Sequence, residues 1–458
     1  MSDRYPQRII TRFLSYLFII LKKNPFTARV IEAIWNNSLY KSVLILGSGT
    51  IIAQLVGLAS MPIITRIYIP SDMGILAVYS SILAIVGIVS TFSYQFAFPL
   101  PKKDEDAINL FGLCMMLLFT TTMCFALILF FGSKLMIHTF NLGIIEQFNW
   151  LLLLGFFGMG LYTILNYWAI RQRDYERITY TKINQGAGGS ICKIVLGILS
   201  FGPMGLIMGH LVSQIAGIGT LSRAMWKKDR ENFKSLSLNR MKRIAQKYKS
   251  FPEFNFPASI VNTISLQIPP LMMLALFNSE IVGFYALASS IMVLPGSVIS
   301  GSMGLAYFGE ASKMVRDGSK ELRSLYIRTL RHLTLIAIPL FCTVAFCAPY
   351  FIPIIFGEAW MEAGVFCLPM LFWIISAFVV SPTSWLEIYD CNHWVLIWDI
   401  ARVAGVLFGF YVSQLFRLSP LMVIWIYSLI MTTMYLVYIL MNLKAIDNLN
   451  RRNNTIPS

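Results

Sequence analysis

Two cations lie inside otherwise apolar runs of this chain, Lys193 and Arg402. A charge in such a run must be paired, hydrated or used. Arg402 follows Asp399 by three residues, so the two share a helix face and can neutralise each other. Lys193 has only Asn184, Gln185 and Ser190 as polar neighbours on its own segment. A lysine so placed either snorkels to an interface along its stem or faces water and attracts an anion. Asn255, Ser259, Asn262 and Ser265 recur at three- and four-residue spacing. That stripe suits hydrogen bonding to another helix or to a polar ligand in a cavity, with Gln95, Asn166 and Gln267 as weaker candidates. Arg66 precedes the turn Pro70-Ser-Asp-Met-Gly74 and suits a headgroup, a turn carbonyl or a departing anion. The four histidines and seven cysteines show no metal-ligand spacing, and Gly47-Ser-Gly-Thr lies in an apolar run with no strand before it. Neither a metal site nor a phosphate loop is therefore expected.

These residues need long apolar elements to position them. Hydrophobic residues make up 57% of the chain and charged residues 13%. Soluble domains carry about 25% charged residues, so a soluble fold is excluded. The chain is all-α and polytopic. A span of hydrocarbon needs about 20 apolar residues. From Ser42 onward, runs near that length number twelve. An even number puts both termini on one side. On that side fall 32 of the 37 Lys and Arg residues, whereas Arg66, Lys134 and Arg417 fall opposite. The positive-inside rule makes the basic side cytoplasmic, so the net charge of +15 reports membrane orientation and not nucleic-acid binding. The run Phe13–Leu21 is too short to span and is expected to lie on the cytoplasmic surface.

The basic stretch 227–252 divides the chain into a bundle at 43–226 and a second at 253–443, flanked by a basic segment 1–42 and a tail 444–458. Gly74 to Ile82 matches Gly283 to Ile291 at Gly, Ala, both Ser and the final Ile, an offset of 209. Six spans per copy make the repeats parallel, with substrate expected in a central cavity between them. The same offset carries Lys193 onto Arg402, which makes the two cations candidate symmetry mates. Pro257, Pro269, Pro270 and Pro295 predict kinks where helices border protein or a cavity.

Phe251-Pro252, Gly283, Tyr285 to Ala288 and Leu294-Pro295, together with Thr65-Arg66, Pro70 to Gly74, Phe356-Gly357, Trp360 and Ala363-Gly364, resemble the oligosaccharide (O-antigen) flippases. These belong to the multidrug/oligosaccharidyl-lipid/polysaccharide exporter superfamily. The resemblance implies translocation of polyprenyl-diphosphate-linked oligosaccharide across a bacterial inner membrane for O-antigen, capsule or exopolysaccharide synthesis. Membrane lipid, a coupling ion, and a polysaccharide polymerase with other assembly proteins would be its partners, and no cofactor is implied. Lys193 and Arg402 with Asp399 would meet the diphosphate, Asn262 and Ser259 the sugars, and Arg66 the departing substrate. A drug exporter of the same superfamily would need more membrane acids than this chain carries. A membrane glycan polymerase would need a sizeable catalytic loop gathering acid and base residues. No expected outer loop is long enough, so enzymatic activity is not expected.

Overall fold

The computed structural model describes residues 38–140, 146–317, 319, 321–389 and 391–455. The expected surface helix at Phe13–Leu21, like most of the basic N-terminal segment, lies outside them, and so does the side chain of Lys134. No strand occurs among the described residues. The first half comprises α1 (Ser38–Ile67), α2 (Pro70–Gly87), α3 (Asp104–Phe140), α4 (Asn149–Arg171), α5 (Tyr175–Ile198), α6 (Pro203–Ile215) and α7 (Ile218–Asp229). A short helix α8 (Leu238–Lys247) leads to the second half. That half comprises α9 (Phe256–Leu276), α10 (Ser279–Arg316), α11 (Leu322–Phe356), α12 (Met361–Val380), α13 (Asn392–Leu415) and α14 (Pro420–Thr455). The last helix runs on through Thr455, so the described part of the expected tail is helical and continuous with α14.

Counting α6 and α7 as one broken span gives the expected twelve among the described residues. The break falls at Gly217, whose φ is +108°. Only glycine adopts such a backbone without strain. Among the described residues, eleven candidate spans are apolar enough to cross a membrane on length and composition, and α5 is not one of them. Its first half, Tyr175 to Gln185, is polar, and close packing holds it in place. Gly186 meets the backbone of Ala53 on α1, and Gly189 meets Ser213 and the Gly209 carbonyl on α6. A side chain at either glycine would push these helices apart.

The two halves repeat the same neighbour scheme. α1 packs on α5 as α9 packs on α13, α5 on α6 as α13 on α14, and α3 on α4 as α11 on α12. The fold is thus two parallel-repeat six-helix bundles, which meet where α2 crosses α10 and α9. The basic linker docks under the first half. Asn109 of α3 donates to the Ser235 carbonyl at 3.0 Å and accepts from the Ser237 amide at 2.9 Å, while Met241 covers Gly112.

Candidate functional site

A cavity of about 1910 Å³ opens within the fold. Its wall comes mainly from the second half: Asn255 and the Ser259, Asn262 and Gln267 face of α9, Tyr285 and Ser290 of α10, Trp373 of α12, and Trp398, Asp399 and Arg402 of α13. Among the described residues the first half contributes Ala77, Ser80 and Ser81 of α2, and Phe96. The lining reaches Glu253, Ser384 and His393 at the end of the bundle where the basic loops lie.

Arg402 is the chemical centre of this wall. Its side chain is 3% exposed, and its Nη2 donates both to Asp399 Oδ1 at 2.7 Å and to Asn262 Oδ1 at 3.0 Å. The Asp399 bond follows from i, i+3 spacing on α13, whereas the Asn262 bond needs α9 and α13 packed side by side. The guanidinium carbon lies 4.3 Å from the ring centroid of Trp398, four residues earlier. That indole is itself fixed by donation to the Met434 carbonyl at 2.7 Å. A desolvated cation–π contact of this kind contributes about 2 kcal/mol. Arg402 Nε is buried and has no partner among the described residues. The site therefore holds a cation that is pre-oriented, paired with one carboxylate, and left with one buried donor unmatched among the described residues.

Four of the six site residues expected from sequence come together here: Arg402, Asp399, Asn262 and Ser259. Ser265, the fourth member of the α9 stripe, is fully buried and donates to its own helix at the Val261 carbonyl, and Gln267 reaches the cavity instead. Lys193 is not in the lining. It sits at the seam of α5 and α6, where a Cβ on Gly209 would come 2.3 Å from its Cγ, and Tyr68 donates to its carbonyl at 2.8 Å. Trp398 and the α14 residues Tyr427, Tyr435 and Tyr438, which also line the cavity, escaped the sequence analysis. The available signal was an aromatic one turn before a buried arginine.

The expected symmetry of Lys193 and Arg402 does not hold. The offset of 209 relates the ends of α1 and α9, Ile67 and Leu276, and the starts of α2 and α10, Pro70 and Ser279. Beyond α12 it becomes 217, relating Tyr175 to Asn392, Ile198 to Leu415, and Pro203 to Pro420. The connection before α13 carries the additional residues, in the short turns Ser381–Thr383 and Leu386–Tyr389. Arg402 is thereby the mate of Gln185, and Asp399 of Lys182. Gln185 is buried and donates to the Gln214 carbonyl at 3.2 Å. The first half thus carries a neutral amide where the second carries a guanidinium.

The end away from the basic loops is sealed. Trp360, fully buried, donates to the Thr65 carbonyl at 2.9 Å. Arg66 is exposed and donates to the Ile354 carbonyl at 3.2 Å, so its contact joins the two halves outside the cavity. Ser71 and Ser279 bond through their hydroxyls.

Two repeated six-helix bundles around a cavity closed at one end define a multi-pass membrane protein with a transporter fold. Residues 63–364 match the family described as "Polysaccharide biosynthesis protein", and the chain belongs to that family. Among solved structures, the lipid II flippase MurJ in an inward closed conformation is similar at 14% identity and a TM-score of 0.65, over 90% of each chain. An outward-facing multidrug resistance MATE family transporter of the MOP superfamily is similar at 16% identity and a TM-score of 0.52, over 89% of this chain and 96% of that one. A MOP superfamily transporter from Pyrococcus furiosus gives 16% identity and a TM-score of 0.50, over 89% and 96%. At these identities the likeness is one of fold. No curated protein matches the chain.

Proposed function

We propose that this protein is a flippase for polyprenyl-diphosphate-linked oligosaccharide units, working by alternating access in a bacterial inner membrane with both termini in the cytoplasm. The observation that carries the reading is Arg402, buried in the wall of a cavity of about 1910 Å³ with an unmatched Nε donor. That volume is about twice the roughly 1,000 Å³ upper range of pockets for drug-sized ligands, and room for several sugars is what the reading requires. The family match supports the polysaccharide pathway, and the basic loops at the open end support its orientation. Arg402, oriented by Asp399 at 2.7 Å, meets the diphosphate while Asn262 and Ser259 meet the first sugars. The prenyl chain stays in lipid, and the two bundles rock about the cavity, opening the sealed end in turn. Arg66 contributes to that seal. A polymerase acting on the delivered units would be its downstream partner, and catalysis is not part of this reading.

The test is complementation. The gene is deleted in a polymer-producing strain, and surface polysaccharide and the leaflet of the lipid-linked unit are measured. Loss of surface polymer with the unit held in the inner leaflet is expected. Normal polymer in a strain with no second exporter would overturn the reading.

A further inference from the structure

Resting on the flippase reading above, we infer that the glycan carried by this protein is uncharged. The charged side chains among the described residues lining the cavity are Arg402, Asp399 and Glu253, one guanidinium against two carboxylates. Asp399 already engages the guanidinium at 2.7 Å. Glu253 stands at the mouth, 3.5 Å from Lys249, and neither adds a cation to the interior. On that reading the diphosphate meets Arg402, and among the described lining residues the only further basic side chain is His393, which lies at the mouth. A carboxylate on the sugars would stand in the interior beside Asp399, with the described guanidinium there already engaged.

The rest of the wall has the chemistry of neutral sugars. Ser80, Ser259, Ser290, Asn255, Asn262 and Gln267 line it, and their hydroxyls and amides can match sugar hydroxyls as donor or acceptor. Trp373, Tyr285 and Tyr427 also border it, each less than a tenth exposed, and the face of Trp398 is taken by Arg402. Such a wall selects by exclusion, since a buried charge without a partner costs more than any single hydroxyl contact returns.

The experiment uses a host without its own exporter that assembles, on the same polyprenyl diphosphate, either a neutral unit or that unit ending in a hexuronic acid. Surface polymer and outer-leaflet lipid-linked unit are read for each. Export of the neutral unit with the acidic one at least about tenfold lower is expected. Ser290→Lys is expected to raise the acidic-to-neutral export ratio several-fold, and Ser381→Lys, also exposed in the cavity, serves where the first variant accumulates poorly. Equal export of both units, or preference for the acidic one, would overturn the inference while leaving the flippase reading standing. Export of neither unit by a protein present at normal level would overturn both.

Discussion

Gly74 and Gly283 meet backbone to backbone across the two halves of the molecule. A Cβ on Gly74 would stand 1.7 Å from the Ser279 carbonyl oxygen, and one on Gly283 would stand 1.9 Å from that of Pro70. Pro70 and Ser279 are themselves repeat mates at the offset of 209, so the contact is self-complementary about the axis relating the bundles. Neither position can hold a side chain while α2 and α10 stay together. Gly74→Val or Gly283→Val is therefore expected to open this end, at a cost to the closed state of at least ~1–3 kcal/mol. That is about 5–150-fold in the closed-to-open ratio. The check is labelling of a Ser290→Cys reporter by a membrane-impermeant maleimide from the outer face, and unchanged labelling would show that this contact is not the outer barrier.

Ser71 and Ser279 reach each other across the same seam. The pair Ser71→Cys with Ser279→Cys is expected to cross-link under oxidation and to stop export, with recovery on adding reductant. A cross-linked protein that still exports would show that the two halves need not part here.

Breaking one side of the Asp399–Arg402 pair leaves a buried charge behind, at a cost of about 3–5 kcal/mol. Arg402→Ala alone should therefore lower the amount of folded protein as well as export. Replacing both, Asp399→Leu with Arg402→Met, removes the unpaired charge and should restore folded protein, judged by size-exclusion chromatography in detergent. Export by the double variant is expected to stay at least about tenfold below wild type, because the cation itself is gone. Restored export would reduce the pair to a packing device.

Lys193 lies at the α5–α6 seam with its stem against Gly209. Lys193→Met keeps that stem and should leave export within about twofold. Gly209→Leu should instead lower the thermal midpoint, since overpacking costs about 1–3 kcal/mol. A large export defect in Lys193→Met at normal expression would return this lysine to the substrate path.

Asn109 satisfies two backbone groups of the linker from one side chain. Asn109→Ala leaves both without it, at about 1–3 kcal/mol each where buried, and the linker should loosen from α3. Limited trypsin cleavage within Arg240–Lys249 is the measure, expected to speed up several-fold with export reduced less.

Much of the architecture is legible in the sequence. Apolar runs long enough to span, the basic loops on one side, and the match of Gly74–Ile82 with Gly283–Ile291 together specify a parallel-repeat bundle of twelve spans. The Asp399–Arg402 pair is legible too, because i, i+3 spacing is a property of one helix. So is the polar face of α9, apart from Ser265, which turns to its own backbone.

What the chain alone determined is what lies within one helix or in the count of helices: spans, their side-to-side charge, and the local pairing of Asp399 with Arg402. What only the tertiary structure decided is which helices lie next to which. The longer connection before α13 moves the repeat register from 209 to 217 and so pairs Arg402 with Gln185 instead of Lys193. Packing of α5 on α6 puts Lys193 in a seam, while packing of α9 on α13 joins Asn262 to Arg402 across 140 residues. Helical periodicity fixes the face on which a side chain lies, but what that face meets depends on contacts between segments far apart in the chain.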